Sequence, residues 1–559
     1  MRAAIGPRFV ERPSDGGAVP IAVLDAASVF LVDGGGLVQP PGEGWALDWW
    51  IGADDRWYLP AREPSVRQRR RGFGPVIETA VRVPSGDVLQ TVYATMVAGR
   101  QVCVVEFDNQ SPVPVALAMA IRPYDLSGAE HQCSMQWRSK VLLDLGSCGL
   151  TLPRPPSEKA FSAKEDLLAA VEAGRDLLWD STEPDAVLGD GEFTNGLVLY
   201  PLPHRTSIRV ALGPTELSVD LAALAGPDQV ARGWDTMIER TGRFEFADPG
   251  LTKAAGAARA RLLLATDLRA TSTLDLGRLS QSLATSGHFD RLKQLLTGDG
   301  LADVGLVERV VAGVSTLGAK DPTGSATLVD HLARAAVILG DRSLGKELLE
   351  PLAWLTKKLE PGSRWGFGGD PVAATAHWVR AAGGLLALVE WLGQADAAND
   401  LRQRLAQQAP PWGQMAPTYD EVTDLVQLPV RDSTGAGRGS VDGVVQAADL
   451  WTAARGLVIK ELILEPEPTI ELLPDYPTAW RGGSTEIHQA ATLYGPLSYA
   501  VRWHGPRPAL LWDRRECAAR LVSPGLDPDW IGESPQGEAL LAGSAEGLGV
   551  VPSPGDSFA

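Results

Sequence analysis

The phrases TSGH (285–288), ILGD (338–341) and WLGQ (391–394) place Gly287, Gly340 and Gly393 at a constant offset of 53 residues. Each glycine closes a run of apolar residues at helical spacing and opens another. Leu279, Leu332 and Leu385 stand eight positions before each glycine, and Leu295, Leu348 and Leu401 eight positions after. A glycine suits the left-handed position just past a helix, where a Cβ would be strained. Eight residues are a little over two helical turns, so each leucine pair faces one core from two antiparallel helices. The unit reads as helix, glycine cap, short turn, second helix. Its period exceeds that of the common TPR and HEAT repeats and suits a toroid of long-loop helical hairpins.

Working outward, residues 227–462 are rich in Ala and Leu, with apolar residues at helical spacing in 251–265, 276–283 and 327–339. The N-terminal side is different. Residues 76–83 (VIETAVRV), 89–97 (LQTVYATMV), 102–107, 115–121 and 208–212 are short β-favouring runs separated by Gly and Pro turns, with one helical insert over 163–178. Many short strands divided by turns predict a β-sandwich. After Pro466 the strand pattern returns in 469–473, 497–503 and 509–512, the last two joined tightly by 504–508 (HGPRP). The expected architecture is multidomain α+β. An N-terminal β-sandwich (1–225) precedes a central α/α hairpin toroid (226–465), and a small C-terminal β-domain (466–559) follows. Ten or eleven helices are legible, short of the twelve of a full six-hairpin ring.

The chain has 559 residues and a formal net charge of −18. Such a surface argues against nucleic acid or an anionic membrane as the main partner. No 18-residue apolar run predicts a membrane span, and the N-terminus carries no apolar signal region, so a cytoplasmic location is expected. The four cysteines form no C-x-x-C pair, which predicts reduced thiols and no thiolate metal site. Residues 313–320 (GVSTLGAK) lack the GK[ST] ending of a phosphate loop, and neither G-x-S-x-G nor H-E-x-x-H occurs. No cofactor or metal is expected.

The hairpin repeat, the linker-like helix over 229–240 and the phrase Phe246-Ala247-Asp248-Pro249 resemble the layout of the six-hairpin glycosidase superfamily. The phrases WWIGADDRWYLPAREPSVRQ (49–68) and LSYAVRWHGPRPALLWD (497–513) are similar to those of uncharacterised actinobacterial members. The resemblance spans most of the chain. It implies a carbohydrate or glycoconjugate ligand and glycoside hydrolysis by two carboxylates, one donating a proton and one attacking or activating water. The departures are the short helical region and the lack of a clear acid and base motif. They keep two alternatives open: a non-catalytic carbohydrate-binding or assembly protein, and a protein-interaction scaffold.

Candidate catalytic residues follow from the loops at one mouth of the hairpins. Asp370 ends the loop 362–370 (GSRWGFGGD), which also offers Arg364 and Trp365 and is faintly similar to the Trp-Thr-Gly-Asp phrase of the rhamnosidase branch. The plain alternative is that Asp370 caps the helix starting at Pro371. Glu421 in the loop 410–424 and Asp442 in the glycine-rich 435–443 are candidates for the second carboxylate. Trp49, Trp50, Asp54, Asp55, Arg56 and Trp57 form the most aromatic stretch; indoles stack on sugar rings and the charged groups bind hydroxyls, or else the indoles are sandwich core. The arginines of 67–71 either meet an anion or pair with acidic neighbours. Glu486 and His488 share a strand face and read as a polar pair rather than a metal site.

Overall fold

A computed structural model describes residues 17–543 apart from 85, 124, 127–134, 163–166, 168–170, 172–194, 265–267, 269–270, 299–303, 314–320, 363–370, 409–416 and 428–440. The chain divides into two compact units. One comprises residues 1–237 with 263–268 and 429–446, and the other 238–262, 269–428 and 447–559.

The first unit is a sandwich of two eight-stranded sheets. The strand Ala46–Gly52 pairs antiparallel with Val115–Arg122, which pairs in turn with Asn195–Leu202. The second sheet is centred on Gly86–Val97, Arg100–Asn109 and Ser207–Pro214. The β-favouring runs 89–97, 102–107, 115–121 and 208–212 fall on these strands, and 76–83 corresponds to Ile77–Val83, which pairs with Gly86–Val97. Strand periodicity sorts the side chains of Ala46–Gly52 onto two faces. Leu47, Trp49 and Ile51 join the main core with Phe107, Leu117 and Val210, whereas Trp50 packs on the opposite face with Leu59, Ala118 and Leu197. Burial on both faces makes this strand apolar on both sides apart from Asp48, which is buried and accepts the Trp50 indole N–H.

The second unit carries the hairpins. Among the described residues the chain forms eleven α-helices: α1 (Pro227–Arg240), α2 (Pro249–Leu263), α3 (Thr273–Thr285), α4 (Phe289–Thr297), α5 (Leu306–Gly313), α6 (Pro322–Leu339), α7 (Arg342–Leu359), α8 (Pro371–Trp391), α9 (Ala395–Gln408), α10 (Tyr419–Gln427) and α11 (Val441–Gly456). The repeat corresponds to the hairpins α3–α4, α6–α7 and α8–α9. Gly287, Gly340 and Gly393 have φ of 76°, 76° and 79°. The His288 N–H donates to Leu283 O and that of Gln394 to Val389 O, both at 2.9 Å, closing the six-to-one bond of a glycine-terminated helix. In ILGD the turn does two jobs, since Asp341 also caps α7 by accepting from the Ser343 and Leu344 N–H groups. All six register leucines are buried.

The first helices of the hairpins, α3, α6 and α8, pack side by side as an inner layer. Helix α6 is buried nearly all round, whereas α7 and α9 bury one face, as expected of an outer layer. Helix α8 is long and apolar enough to cross a membrane by composition; here it packs against α6, α7 and α9. Buried Arg259 on α2 ties this layer together. It donates to Ile238 O, Gly242 O and Ser286 O at 2.7–3.1 Å and to the Thr241 hydroxyl. These carbonyls end α1 and α3, and the partial negative charge of the helix ends takes the place of a carboxylate counter-ion.

The C-terminal strands form a five-stranded and a four-stranded sheet within the same unit. The hairpin between Leu497–His504 and Arg507–Asp513 turns at Gly505, φ 63°, as the HGPRP phrase predicts. Arg243–Glu245, between α1 and α2, adds to the five-stranded sheet beside Thr485–Ala490. Trp480 is closed to solvent among Phe246, Tyr419 and Tyr476, which locks the start of α10 to this sheet region.

Candidate functional site

The inner helices approach one another unusually closely because glycines face their neighbours. A Cβ on Gly277 of α3 would lie 2.5 Å from Leu328 of α6, and one on Gly384 of α8 would lie 2.4 Å from the Asp330 Cα. Polar residues gather in two groups, one on α3 and α11 and one on α6 and α8.

At one end, Arg278 of α3 stands between two carboxylates. Its Nη1 lies 3.6 Å from Asp275 Oδ1 and 4.0 Å from Asp449 Oδ2 of α11. All three side chains are partly open to solvent, at 40% for Arg278, 32% for Asp275 and 47% for Asp449. Asp275 sits in the first turn of α3, where it accepts the Ser272 hydroxyl at 2.6 Å while its N–H donates to Ser272 Oγ. A helix N-terminus favours negative charge there. Burial raises the Asp449 carboxyl above the ordinary carboxylate range; the Arg278 charge offsets part of this, and the Asp275 charge adds to it. Two acids sharing one cation are thus set in different environments, which is how one site obtains a proton donor and a base.

Further along, Arg334 Nε donates to Asp330 Oδ1 at 2.5 Å one turn away on α6, with both side chains buried. Arg380 of α8 places Nε 3.6 Å from Asp330 Oδ2, and its Nη2 donates to His331 Nε2 at 3.3 Å. Toward the helix starts, Thr323 Oγ1 and His377 Nε2 are 3.0 Å apart. Arg455 and Glu461 form a second buried pair, at 2.6 Å.

The residues expected from sequence are scattered. Trp49 and Trp50 are 0% and 1% exposed. They are core indoles, with Trp49 Nε1 donating to Gly35 O and Trp50 Nε1 to Asp48 Oδ2, and neither presents a face to a sugar. Arg56 is held by Glu63 through both carboxylate oxygens and lies over the Tyr58 ring, whose hydroxyl donates to Asp55. Asp54 is exposed and Trp57 half-buried. Glu421 completes a capping box on α10, its Oε2 accepting the Thr418 N–H at 2.8 Å while its N–H donates to the Thr418 hydroxyl. That bond holds its carboxyl below the ordinary range. Asp370, Arg364 and Trp365 lie outside the described residues; Asp442 is the second residue of α11, and its side chain is likewise outside them.

The arginine run is matched by acids. Arg67 pairs with Asp87, Arg69 and Arg71 with buried Glu78, and Arg71 also with Asp228. Glu486 accepts from Arg502 at 2.7 Å, with His488 at 3.6 Å. No group of three metal-ligating side chains occurs among the described residues. Asp275, Arg278 and Asp449 were missed in the sequence. S-x-x-D before an apolar run signals a helix start at 272–275, but nothing local links it to Asp449.

No family model matches the sequence, and no curated protein matches it. Among solved structures the chain is similar to a bacterial glucoamylase complexed with acarbose, with 10% identity over 74% of this chain and 69% of that one, at a TM-score of 0.46. A proposed kojibiose phosphorylase from the human microbiome gives 8% identity over 94% and 91%, at 0.44. A GH92 alpha-mannosidase from Bacteroides thetaiotaomicron gives 10% over 72% and 63%, at 0.30; this chain spans under two thirds of its length.

Proposed function

We propose that this protein cleaves glycosidic bonds in an oligosaccharide or glycoconjugate, with Asp449 as the proton donor and Asp275 as the base. The observation that carries this reading is the shared guanidinium. Both carboxylates lie within 4.0 Å of Arg278 Nη1. Those two oxygens are therefore at most about 8 Å apart, below the upper limit of the carboxylate separations that glycoside hydrolysis uses.

In this reading the Asp449 carboxyl, whose hold on its proton burial and the Asp275 charge strengthen, gives that proton to the glycosidic oxygen as the C–O bond breaks. Asp275 takes a proton from the water that bonds to the anomeric carbon. Arg278 places its guanidinium between the two carboxylates. Asp370, which lies outside the described residues, remains the sequence-based candidate for the catalytic acid.

The test is sugar release from a panel of α- and β-linked glucosides, mannosides and galactosides by the wild type, Asp449→Asn and Asp275→Asn. Turnover by the wild type and its loss in both variants supports the assignment. Turnover that survives both substitutions removes these residues from the chemistry. Binding of sugars without any turnover favours the non-catalytic carbohydrate-binding alternative.

A further inference from the structure

Asp275 and Asp449 belong to helices that are distant in the chain, so whatever holds α11 beside α3 also sets their separation. Asp275, Arg278, Ser282 and Thr285 succeed one another on α3 at intervals of three, four and three residues, which puts them on one stripe of the helix. Asp275 and Arg278 are part-open to solvent, whereas Ser282 and Thr285 are buried.

Both buried hydroxyls bond to α11 beside Asp449. Ser282 Oγ donates to Ala448 O at 3.0 Å and lies 3.1 Å from Thr452 Oγ1. The single Ser282 proton goes to Ala448, so the Thr452 hydroxyl donates to Ser282. A carbonyl has two lone pairs, and Ala448 O can take this bond without leaving the helical ladder. Thr285 Oγ1 donates to Gln281 O at 2.9 Å and accepts the Trp451 Nε1–H at 3.0 Å. Trp451 is closed to solvent, with Phe244 edge-on at 4.8 Å and the Arg259 guanidinium 5.0 Å from its ring. Asp449 itself stands 4.0 Å from Arg278, too far for a hydrogen bond to hold it. Its place is inherited from its neighbours in α11. Apolar packing is non-directional and permits a slide along the helix axis, whereas hydroxyl bonds fix the register. Burial is also the first cause of the raised Asp449 carboxyl, and it depends on α11 staying docked.

We propose that Ser282 and Thr285 are positioning residues for the hydrolysis: they fix the register of α11 against α3 and so hold Asp449 at its working distance from Asp275. This rests on the glycosidase reading and adds that the acid and base are brought together across a helix seam, by hydroxyls that are buried away from any substrate.

The experiment uses the full chain as wild type, Thr285→Val, Thr285→Ser and Ser282→Ala. Valine keeps the shape of threonine and strands the Trp451 N–H; serine keeps the acceptor. The first readout needs no substrate. It is an NMR titration of carboxyl-labelled aspartates, with the Asp449 signal assigned by its loss in Asp449→Asn. The Asp449 midpoint is expected to fall toward the ordinary carboxylate value in Thr285→Val and Ser282→Ala and to return in Thr285→Ser. The second readout is sugar release, where kcat is expected to fall about tenfold or more in Thr285→Val and Ser282→Ala with KM unchanged. An unmoved Asp449 midpoint in Thr285→Val and Ser282→Ala overturns the proposal, and so does a shift that persists in Thr285→Ser, which assigns it to packing. A moved midpoint with kcat at the wild-type rate overturns the role in hydrolysis. Should Thr285→Val not fold, Ser282→Ala carries the same test. Titration as expected with no sugar release by the wild type overturns the glycosidase reading and confines Ser282 and Thr285 to placing Asp449.

Discussion

Asp275 and Asp449 flank the same nitrogen, Arg278 Nη1, at 3.6 and 4.0 Å, from helices far apart in the chain. If Asp449 donates the proton, Asp449→Asn lowers kcat by about 10²–10⁴-fold, the usual worth of a positioned general acid. The sign of the pH dependence follows. The acid works protonated, so activity is present below its raised value and falls as pH rises through it. A pH–rate profile of the wild type carries this alkaline limb, and residual activity of Asp449→Asn lacks it.

Asp330 and Arg334 make a buried pair whose value is structural. Burial alone raises the Asp330 carboxyl, but Arg334, with His331 and Arg380, more than offsets this and holds it below its ordinary value. The stability it contributes is therefore present above the unfolded value of about 4 and is lost as pH falls through the depressed one. Asp330→Asn strands Arg334 in the interior and costs about 3–5 kcal/mol at pH 7, measured by urea unfolding.

Trp49→Ala opens a cavity between the two sheets and costs about 3–5 kcal/mol by the same measurement. Sugar binding by the folded fraction stays as in the wild type, because this indole contacts the core and not solvent.

Thr418 and Glu421 cap α10 reciprocally. Thr418→Ala costs about 1 kcal/mol of stability. Glu421→Gln shifts the unfolding midpoint while leaving turnover at the wild-type rate; a loss of turnover at unchanged stability would return Glu421 to the chemistry.

Arg259→Met leaves the carbonyls of Ile238, Gly242 and Ser286 without their donor. The expected loss is at least about 2 kcal/mol, read as a lowered midpoint in urea.

The features that were legible in the sequence are those set by local spacing. Gly287, Gly340 and Gly393 mark hairpin corners because a left-handed residue is a local backbone demand, and Leu332 or Leu348 is buried because helical period alone decides its face. The strands over Ile77–Val83 and Gly86–Val97 follow from β-branched runs ended by turns. Composition misled at Trp49 and Trp50. Aromatic residues beside acids suit a sugar site and a two-sided core strand equally, and only burial separates them. A carboxylate in a first turn, such as Glu421, looks the same in the sequence whether it caps or catalyses.

Periodicity, caps and turns act over a few residues, so the order of sandwich, hairpins and C-terminal strands is readable along the chain. Which charges meet is settled by packing between distant segments. Glycine contacts at Gly277 and Gly384 bring α3 and α8 close to α6, and Asp330 of α6 meets Arg380 of α8 there; the packing of α11 beside α3 sets Arg278 between Asp275 and Asp449. Charge pairing depends on distances of a few ångströms between helices, and no spacing along the chain encodes them.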